Sequence, residues 1–170
     1  MTNLETLKKQ TADLEAKLEE MKAEIDRLEN GWEMKCPYEY GDKHYFLQSS
    51  GDVFSDSWEG MEADNSYFNQ GNIFLTEEAA ELEAKRRNLL TRFRAFRDEC
   101  NEGWKPKWHD NKPKYFLFFN ANDKELQIDC LFNYINLHYF GYFKNTEDAE
   151  RAIELFGDEI QKLFIDCECD

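Results

Sequence analysis

The sequence predicts an α+β fold in which an N-terminal coiled-coil helix precedes two similar antiparallel β-meander-plus-helix modules. The first 30 residues place apolar side chains in a heptad pattern. Two blocks of alternating aromatic and polar residues follow, and each block ends in a helical pattern. The stretches 71–79 (GNIFLTEEA) and 141–149 (GYFKNTEDA) repeat nearly the same chemistry. These observations predict one helix followed by a folding unit used twice.

The opening helix has apolar residues at alternating spacings of three and four from Leu4 to Leu28, interrupted only by Thr11. This is the a/d seam of a coiled coil, and the Asn-Gly pair at residues 30–31 is a stop signal. A lone helix cannot bury so narrow a seam, so we predict a homodimer, with the direction of the two helices left open. The alternative is that the seam folds back on the helix predicted for residues 77–101. The predicted dimer contacts are Leu4, Leu7, Leu14, Leu18, Met21, Ile25 and Leu28.

The predicted domain boundaries follow from the repeat. Residues 1–31 form the coiled-coil helix, residues 32–103 the first module and residues 104–170 the second. Each module begins at a tryptophan and continues through a turn, an aromatic strand, further strands, a glycine and a helix. Hairpin turns are predicted at residues 50–52 and at residues 120–123.

The two module helices have predicted starting points. Thr76 and Thr146 are each followed by acidic residues, which suit the positive end of the helix dipole, so both are predicted N-caps. The first helix is expected to run to about Asn101. The second is expected to break or kink at Gly157 and to resume before Phe164.

Catalytic motifs are absent from the sequence. It has no glycine-rich phosphate loop, no GxSxG, no HExxH and no CxxC pair. The five cysteines are scattered, and the alternative of a metal site at Cys167 and Cys169 has no matching pair elsewhere. The three histidines lack ligand spacing and are expected in strands or loops. We therefore expect a protein without catalytic residues, cofactor or metal.

The net charge of −15 is unevenly distributed. Residues 1–31 carry −3, residues 32–84 carry −10, residues 85–114 carry +6 and residues 115–170 carry −8. A globally basic nucleic-acid binder is therefore disfavoured, and a partner with a basic surface is favoured. The polar N-terminus and the lack of a long apolar run predict a cytoplasmic protein that does not enter a membrane.

An acidic stretch surrounds Trp58 and contains no basic residue. Such a stretch suits imitation of the phosphates of a nucleic-acid strand, and it would then occupy the basic channel of a nucleic-acid-binding protein. The alternative is a solvated loop that keeps the protein soluble. The predicted partner-binding acids are Asp52, Asp56, Glu59, Glu62 and Asp64.

A basic segment lies between the two predicted modules. Leu89, Leu90, Phe93 and Phe96 are expected to face the core, and the arginines to occupy the exposed side of the helix. This segment suits contact with RNA, DNA or an acidic partner, but pairing with the protein's own acids across the dimer is the favoured alternative. Lys112 and Lys114 extend it. The predicted contact residues are Arg86, Arg87, Arg94, Arg97, Lys105 and Lys107.

A resemblance to a known module adds to this interpretation. The first repeat resembles a module found, often in two copies behind a short coiled coil, in small proteins of Gram-positive phages and mobile elements. The second copy departs from it, with Tyr142 in place of the Asn and Lys144 in place of the Phe. The residues that carry the resemblance are Trp32, Tyr45, Phe46, Gly71, Asn72, Phe74, Thr76, Glu77, Glu78 and Ala79.

The resemblance implies a phage context and an anti-defence role, with anti-CRISPR proteins included. We therefore expect a dimeric, non-catalytic inhibitor in the host bacterial cytosol that binds a host nucleic-acid-binding defence protein such as a CRISPR-Cas effector. One alternative is a nucleic-acid-binding accessory protein that uses residues 85–114. Another is a structural phage protein assembled through the coiled coil.

Overall fold

A computed structural model gives the fold and describes residues 3–31 and 34–168. It confirms a mixed α+β architecture with an N-terminal helix and small antiparallel sheets. The chain packs as two compact units, Met1–Asp42 with Trp58–Gln70 and Lys43–Ser57 with Gly71–Asp170. The predicted module boundaries stay a prediction. The first residue of the predicted repeat, Trp32, lies outside the described residues.

The first helix, α1 (Asn3–Asn30), is continuous over 28 residues. It is rich in Ala, Leu, Glu and Lys, which lose little side-chain entropy in a helix, and it contains neither Pro nor Gly. Gly31 takes a φ of +77° and donates its N–H to the carbonyl of Arg27. Since glycine adopts this left-handed conformation without steric cost, it ends the helix here. The predicted stop is confirmed.

The rest of this unit is organised around Trp58, whose side chain is buried. Its ring stacks on Tyr38 at 5.3 Å between centroids and meets Phe68 edge-on at 6.3 Å. Its backbone N–H donates to the carbonyl of Asp42, and its own carbonyl accepts from the N–H of Gly41. The tryptophan at the centre of the acidic stretch is therefore a packing residue.

A second helix, α2 (Glu62–Asn69), occupies a segment for which the sequence predicted strands or a loop between them. Asp64, at the third position of α2, accepts hydrogen bonds from the N–H groups of Glu59 and Met61. This carboxylate satisfies backbone donors that precede the helix. The helix has eight residues and no buried side chain, so its apolar periodicity is too weak to predict it.

The first sheet has three strands in the order β2-β1-β3. The central strand, β1 (Lys43–Leu47), pairs antiparallel with β2 (Val53–Ser57) and with the short β3 (Ile73–Phe74). Gly51 takes a φ of +91° in the turn between β1 and β2. The predicted hairpin at residues 50–52 is confirmed, and β2 is an edge strand.

The second sheet pairs β4 (Lys114–Asn120) antiparallel with β5 (Glu125–Leu131). Its turn lies at residues 121–124, which confirms the predicted hairpin. On the other side of β4, Tyr115 and Phe143 exchange both backbone hydrogen bonds, at 3.0 and 2.8 Å. This single bridge brings the chain from the second hairpin back to its sheet.

Two long helices pack on the sheets. α3 (Glu77–Asn101) packs against the first sheet, α4 (Thr146–Ile160) packs against the second, and the two helices contact each other. The side chain of Thr76 accepts the N–H of Ala79 at 3.2 Å, so the predicted N-cap of α3 is confirmed. The core between these elements is formed by Leu89, Phe93, Leu117, Phe143, Ala149, Ala152, Phe156, Ile160 and Leu163.

Two predictions about α4 are wrong. Its N-cap is Asn145, and Thr146 is the first helical residue and makes no capping bond. Gly157 does not break the helix, which continues to Ile160 before a π-helical turn at Gln161–Ile165. A Cβ at Gly157 would lie 3.4 Å from Ile153 of α4 and 3.8 Å from Leu126 of β5, which are ordinary packing distances, so no close approach to the sheet requires a glycine here.

Candidate interaction surfaces

The apolar seam of α1 is exposed. Its side chains are between 51% and 74% accessible, although exposed leucines in a monomer normally occur singly. Thr11, at the polar seam position, donates its hydroxyl to the carbonyl of Leu7 at 3.0 Å. The hydroxyl is therefore satisfied within α1. The exposed seam residues are Leu4, Leu7, Leu14, Leu18, Met21, Ile25 and Leu28.

The charged residues of α1 also form ion pairs along the helix. Lys22 lies 2.8 Å from Glu19, and Arg27 lies 2.7 Å from Glu24. In each pair the two residues are three positions apart and solvent-exposed, so each pair contributes only about 0.3 kcal/mol to helix stability.

The predicted acids fall into two groups along the chain. Asp52 directly precedes the edge strand β2, Asp56 lies within it, and both are exposed. Their carboxylates make local bonds, Asp52 with the hydroxyl of Ser50 and Asp56 with the N–H of Ser57. These bonds leave most of each carboxylate facing water.

The other three acids belong to the unit that contains α2. Glu59 and Glu62 are exposed, whereas Asp64 is half-buried and bonded to two backbone N–H groups. Asp64 thus has a structural role in starting α2, which the sequence did not reveal. Glu59 and Glu62 are the acids of this group best placed for a partner.

The basic face of α3 differs from its prediction. Arg86 is half-buried and donates to the carbonyl of Leu163 and to the thiol of Cys167. Arg97 is only 20% exposed in its side chain and donates to the carbonyl of Phe140. The expectation that these two arginines lie on the exposed side of the helix is wrong, because each reaches across to cap carbonyls of a neighbouring segment.

Further cations of the segment have internal partners. Arg87 pairs with Glu83 and donates to Asn72 and to the carbonyl of Gly71, which fastens the turn before β3. Arg92 makes a two-oxygen contact with Glu159 of α4, at 2.6 and 2.7 Å. These cations pair with acids of the same chain, and the predicted pairing with acids across a dimer stays a prediction.

Other basic residues remain at the surface. Arg94, Lys105, Lys107 and Lys112 are exposed, but Lys114 is wholly buried, which corrects its place in the basic run. The predicted apolar face of α3 is confirmed: Leu89, Leu90 and Phe93 are buried, and Phe96 packs on the core.

An exposed apolar loop follows β5 and was not predicted as a surface. Residues 132–143 contain no charged side chain. His138 anchors the loop by stacking on Phe116 at 3.7 Å between ring centroids, and the hydroxyl of Tyr142 donates to the carbonyl of Asn136. The two asparagines interrupt the alternation, which is the signal against a strand. The exposed members are Phe132, Tyr134, Ile135, Leu137 and Tyr139.

Reactive chemistry is weakly represented in the described part of the chain. Burial, followed by the charge of Asp148, raises the pKa of the Cys100 thiol, so this thiol stays protonated near neutral pH. Within residues 3–31 and 34–168, no three His, Cys, Asp or Glu side chains are placed to hold a metal ion. The alternative site at Cys167 and Cys169 stays a prediction, because Cys169 lies outside the described residues.

Comparisons with protein-family models, curated proteins and solved structures find no match for this chain. Across the described residues, no helix has the length and apolar content to cross a bilayer.

Proposed function

We propose that the protein is a non-catalytic, homodimeric interaction protein of the host bacterial cytosol that inhibits a nucleic-acid-binding defence protein, with a CRISPR-Cas effector as the first candidate. The observation that carries the proposal is the exposed a/d seam of α1. A second copy of α1 supplies a matching seam, and burial of both seams removes apolar surface from water. We therefore expect two chains to associate through α1.

We also propose that residues 32–103 and 104–170 are two copies of one module. Each contains a hairpin, a glycine with positive φ (Gly71 and Gly141), a short pairing back to the first strand and a long helix. In the first copy Tyr45 pairs with Phe74, whereas Tyr115 pairs with Phe143 in the second. When the two sequences are aligned, this pairing lies one residue earlier in the second copy than in the first.

Charge supports a basic partner. Several cations of residues 85–114 are bound within the chain: Arg86 and Arg97 donate to backbone carbonyls, and Lys114 is buried. None of the acids in the stretch around Trp58 takes part in a described ion pair. Their negative charge is therefore not neutralised by a neighbouring cation in those pairs, and the stretch presents a negative potential. Negative potential speeds encounter with a positively charged cleft and becomes weaker as salt rises.

The exposed apolar loop at residues 132–139 suits the same role. Aromatic side chains provide much of the energy of protein interfaces, while surrounding acids set the orientation and rate of encounter. The nucleic-acid-binding alternative keeps Arg94, Lys105 and Lys107 as exposed cations.

Self-association is tested with Leu14→Glu/Leu18→Glu, which places charges in the seam. We expect the wild-type chain to be a dimer and the variant a monomer in sedimentation equilibrium. Ala12→Glu/Ala16→Glu is the matched control, because it has the same spacing and lies off the seam, and it should stay dimeric. A monomeric wild-type chain would favour the alternative in which the seam folds back on α3.

Inhibition is tested with purified, guide-bound CRISPR nucleases and a DNA-cleavage assay. We expect the wild-type chain to slow cleavage by at least about tenfold at low salt and to lose effect as salt rises. Reversing Asp52, Asp56, Glu59 and Glu62 to lysine should abolish inhibition, whereas reversing the same number of acids on α4 should not. Unchanged inhibition by the first variant would reject the acidic-surface mechanism.

A further inference from the structure

Charged residues flank the exposed seam of α1. Which of them meet across a helix pair depends on whether the two helices run parallel or antiparallel. With Leu4 at position a and Leu7 at d, the e positions are Lys8, Glu15, Lys22 and Glu29. The charge at e therefore alternates in sign from one heptad to the next. The g positions are Asn3, Gln10, Lys17 and Glu24. Residues at e and g lie beside the seam of a coiled coil and set the orientation of its helices.

We propose that two copies of α1 pair in antiparallel orientation, an inference that rests on the proposed self-association. In an antiparallel pair, e positions face e positions of the other helix. The register that places Lys8 opposite the partner's Glu29 also places Glu15 opposite the partner's Lys22, because both pairs are centred between Leu18 and Glu19. Two-fold symmetry repeats both attractive contacts.

A parallel pair in register opposes like charges instead. There, each g residue faces an e residue of the other helix in the next heptad. Lys17 would face the partner's Lys22, and Glu24 would face the partner's Glu29. Symmetry doubles both repulsive contacts, and the neutral Gln10 leaves Glu15 without an attractive contact. Like charges facing one another across a coiled coil act against that pairing.

The seam residues are consistent with the antiparallel arrangement. Parallel dimers favour β-branched residues at a and leucine at d, but here leucine occupies two of the a positions, Leu4 and Leu18. In an antiparallel pair a packs beside d, so Thr11 meets an apolar residue instead of a second threonine. Its hydroxyl already donates to the carbonyl of Leu7, so it needs no partner across the interface.

The orientation decides where the two chains leave the helix pair. A helix of 28 residues is about 42 Å long at about 1.5 Å per residue. In an antiparallel pair of this register, the two copies of Gly31 lie near opposite ends, roughly 35–40 Å apart. The segments that follow α1 would therefore be presented in opposite directions, which suits a dimer that offers two separated binding surfaces.

Lys22→Glu distinguishes the two orientations by the sign of its effect. In the antiparallel pair it places acids opposite the partner's Glu15, so the dimer dissociation constant in sedimentation equilibrium should rise by about three- to tenfold. In the parallel pair it replaces the contact of two lysines by an attractive one, so dimerisation should tighten. The double variant Glu15→Lys/Lys22→Glu should restore wild-type affinity only in the antiparallel pair.

The matched control is Arg27→Glu. It makes the same change of charge and also removes an ion pair with a residue three positions earlier, but it lies at position c, away from the seam. A dimer of Lys22→Glu that is as tight as that of Arg27→Glu, or tighter, would overturn the antiparallel proposal. A wild-type chain that sediments as a monomer would instead overturn the self-association on which it rests.

Zero-length carbodiimide cross-linking gives an independent measurement. Wild-type chains carrying ¹⁴N or ¹⁵N are mixed, so that peptides joined between chains show mixed isotopes. We expect such peptides to join Lys8 to Glu29 and Lys22 to Glu15. Inter-chain links from an amine-reactive reagent that join Lys17 to Lys22, without the two expected pairs, would identify a parallel dimer.

Discussion

Lys114 is a buried cation with all of its donors in use. Its ammonium group lies 2.8 Å from Asp110, 2.7 Å from the carbonyl of Lys112 and 2.9 Å from the carbonyl of Phe132. The same group lies 5.4 Å from the ring centre of Trp108. These contacts join the segment before β4 to the end of β5. The sequence placed Lys114 among surface cations, because nothing in a lysine's neighbours reveals that carbonyls will surround it.

We expect Lys114→Met to destabilise the fold by about 2–4 kcal/mol, because it leaves two carbonyls and a carboxylate without their donor. Lys112→Met is the control, since that side chain is exposed and its carbonyl remains. Urea unfolding monitored by tryptophan fluorescence measures both variants. Equal stability of the two variants would show that the ammonium contacts add nothing.

His138 predicts a dependence of stability on pH. Burial against Phe116 and Tyr142 lowers the pKa of His138 below its ordinary value of 6.5. The unfolded chain therefore takes up a proton at a higher pH than the folded chain. The contribution to stability is complete above the unfolded pKa and is lost progressively as the pH falls below it.

The free energy of unfolding of the wild-type chain should therefore fall between about pH 7.5 and about pH 5.5. His138→Phe keeps an aromatic ring on Phe116 but cannot titrate, so its curve should be flatter in this range. His109→Phe makes the same substitution at an exposed histidine and controls for the loss of one imidazole. Identical slopes for the wild-type chain and His138→Phe would contradict the assignment.

At the scale of elements, the starts of α3 and α4 show how far similar sequences can be equated. TEEA and TEDA are nearly identical, yet Thr76 caps α3 and Thr146 lies inside α4. In the proposed alignment of the two copies, the pairing of Tyr115 with Phe143 lies one residue earlier than that of Tyr45 with Phe74, and the helix starts one residue earlier as well. A shift of one residue in a strand exchanges its faces, and Phe143 thereby enters the core.

This difference is measurable with two alanine substitutions. Thr76→Ala removes a side-chain acceptor for the N–H of Ala79 and should cost about 1 kcal/mol of stability. Thr146→Ala removes no capping bond and should cost roughly half as much or less. Urea unfolding of the two variants gives the comparison, and a larger cost at Thr146 would refute the assigned N-caps.

The helices and strands that the sequence predicted correctly are those marked by short-range patterns. Heptad spacing predicts α1, and glycine or asparagine turns between alternating residues predict both hairpins, since these signals act over a few residues. The helix α2 and the continuation of α4 through Gly157 were missed. The start of α2 uses the carboxylate of Asp64, which no local pattern reveals. Glycine lowers helix propensity by only about 1 kcal/mol, so the packing of α4 overrides it.

At the scale of the whole molecule, tertiary structure redistributes the charge that the sequence displays. Residues 85–114 carry +6, but several of their cations bind carbonyls or carboxylates within the chain. The acids at Asp52, Asp56, Glu59 and Glu62 stay exposed. The exposure of these acids was therefore predictable from composition, whereas the burial and internal pairing of several of the cations were not.

The exposed loop at residues 132–139 illustrates the same limit. Its composition is that of a core strand, and only the path of the chain after β5 leaves its apolar side chains in water. The seam of α1 is the opposite case, because its pattern predicted both the helix and its unburied face.

The sequence by itself determined the long first helix, the two hairpins, the start of α3 and the excess of acidic charge, because each depends on neighbouring residues or on composition. The tertiary structure alone decided which cations are buried, where α4 begins and which apolar residues remain exposed. These outcomes depend on contacts between residues far apart in the chain, such as Lys114 with Phe132 and Arg97 with Phe140. A local pattern carries no record of them, since the partner that satisfies a buried group is chosen by the packing of whole elements.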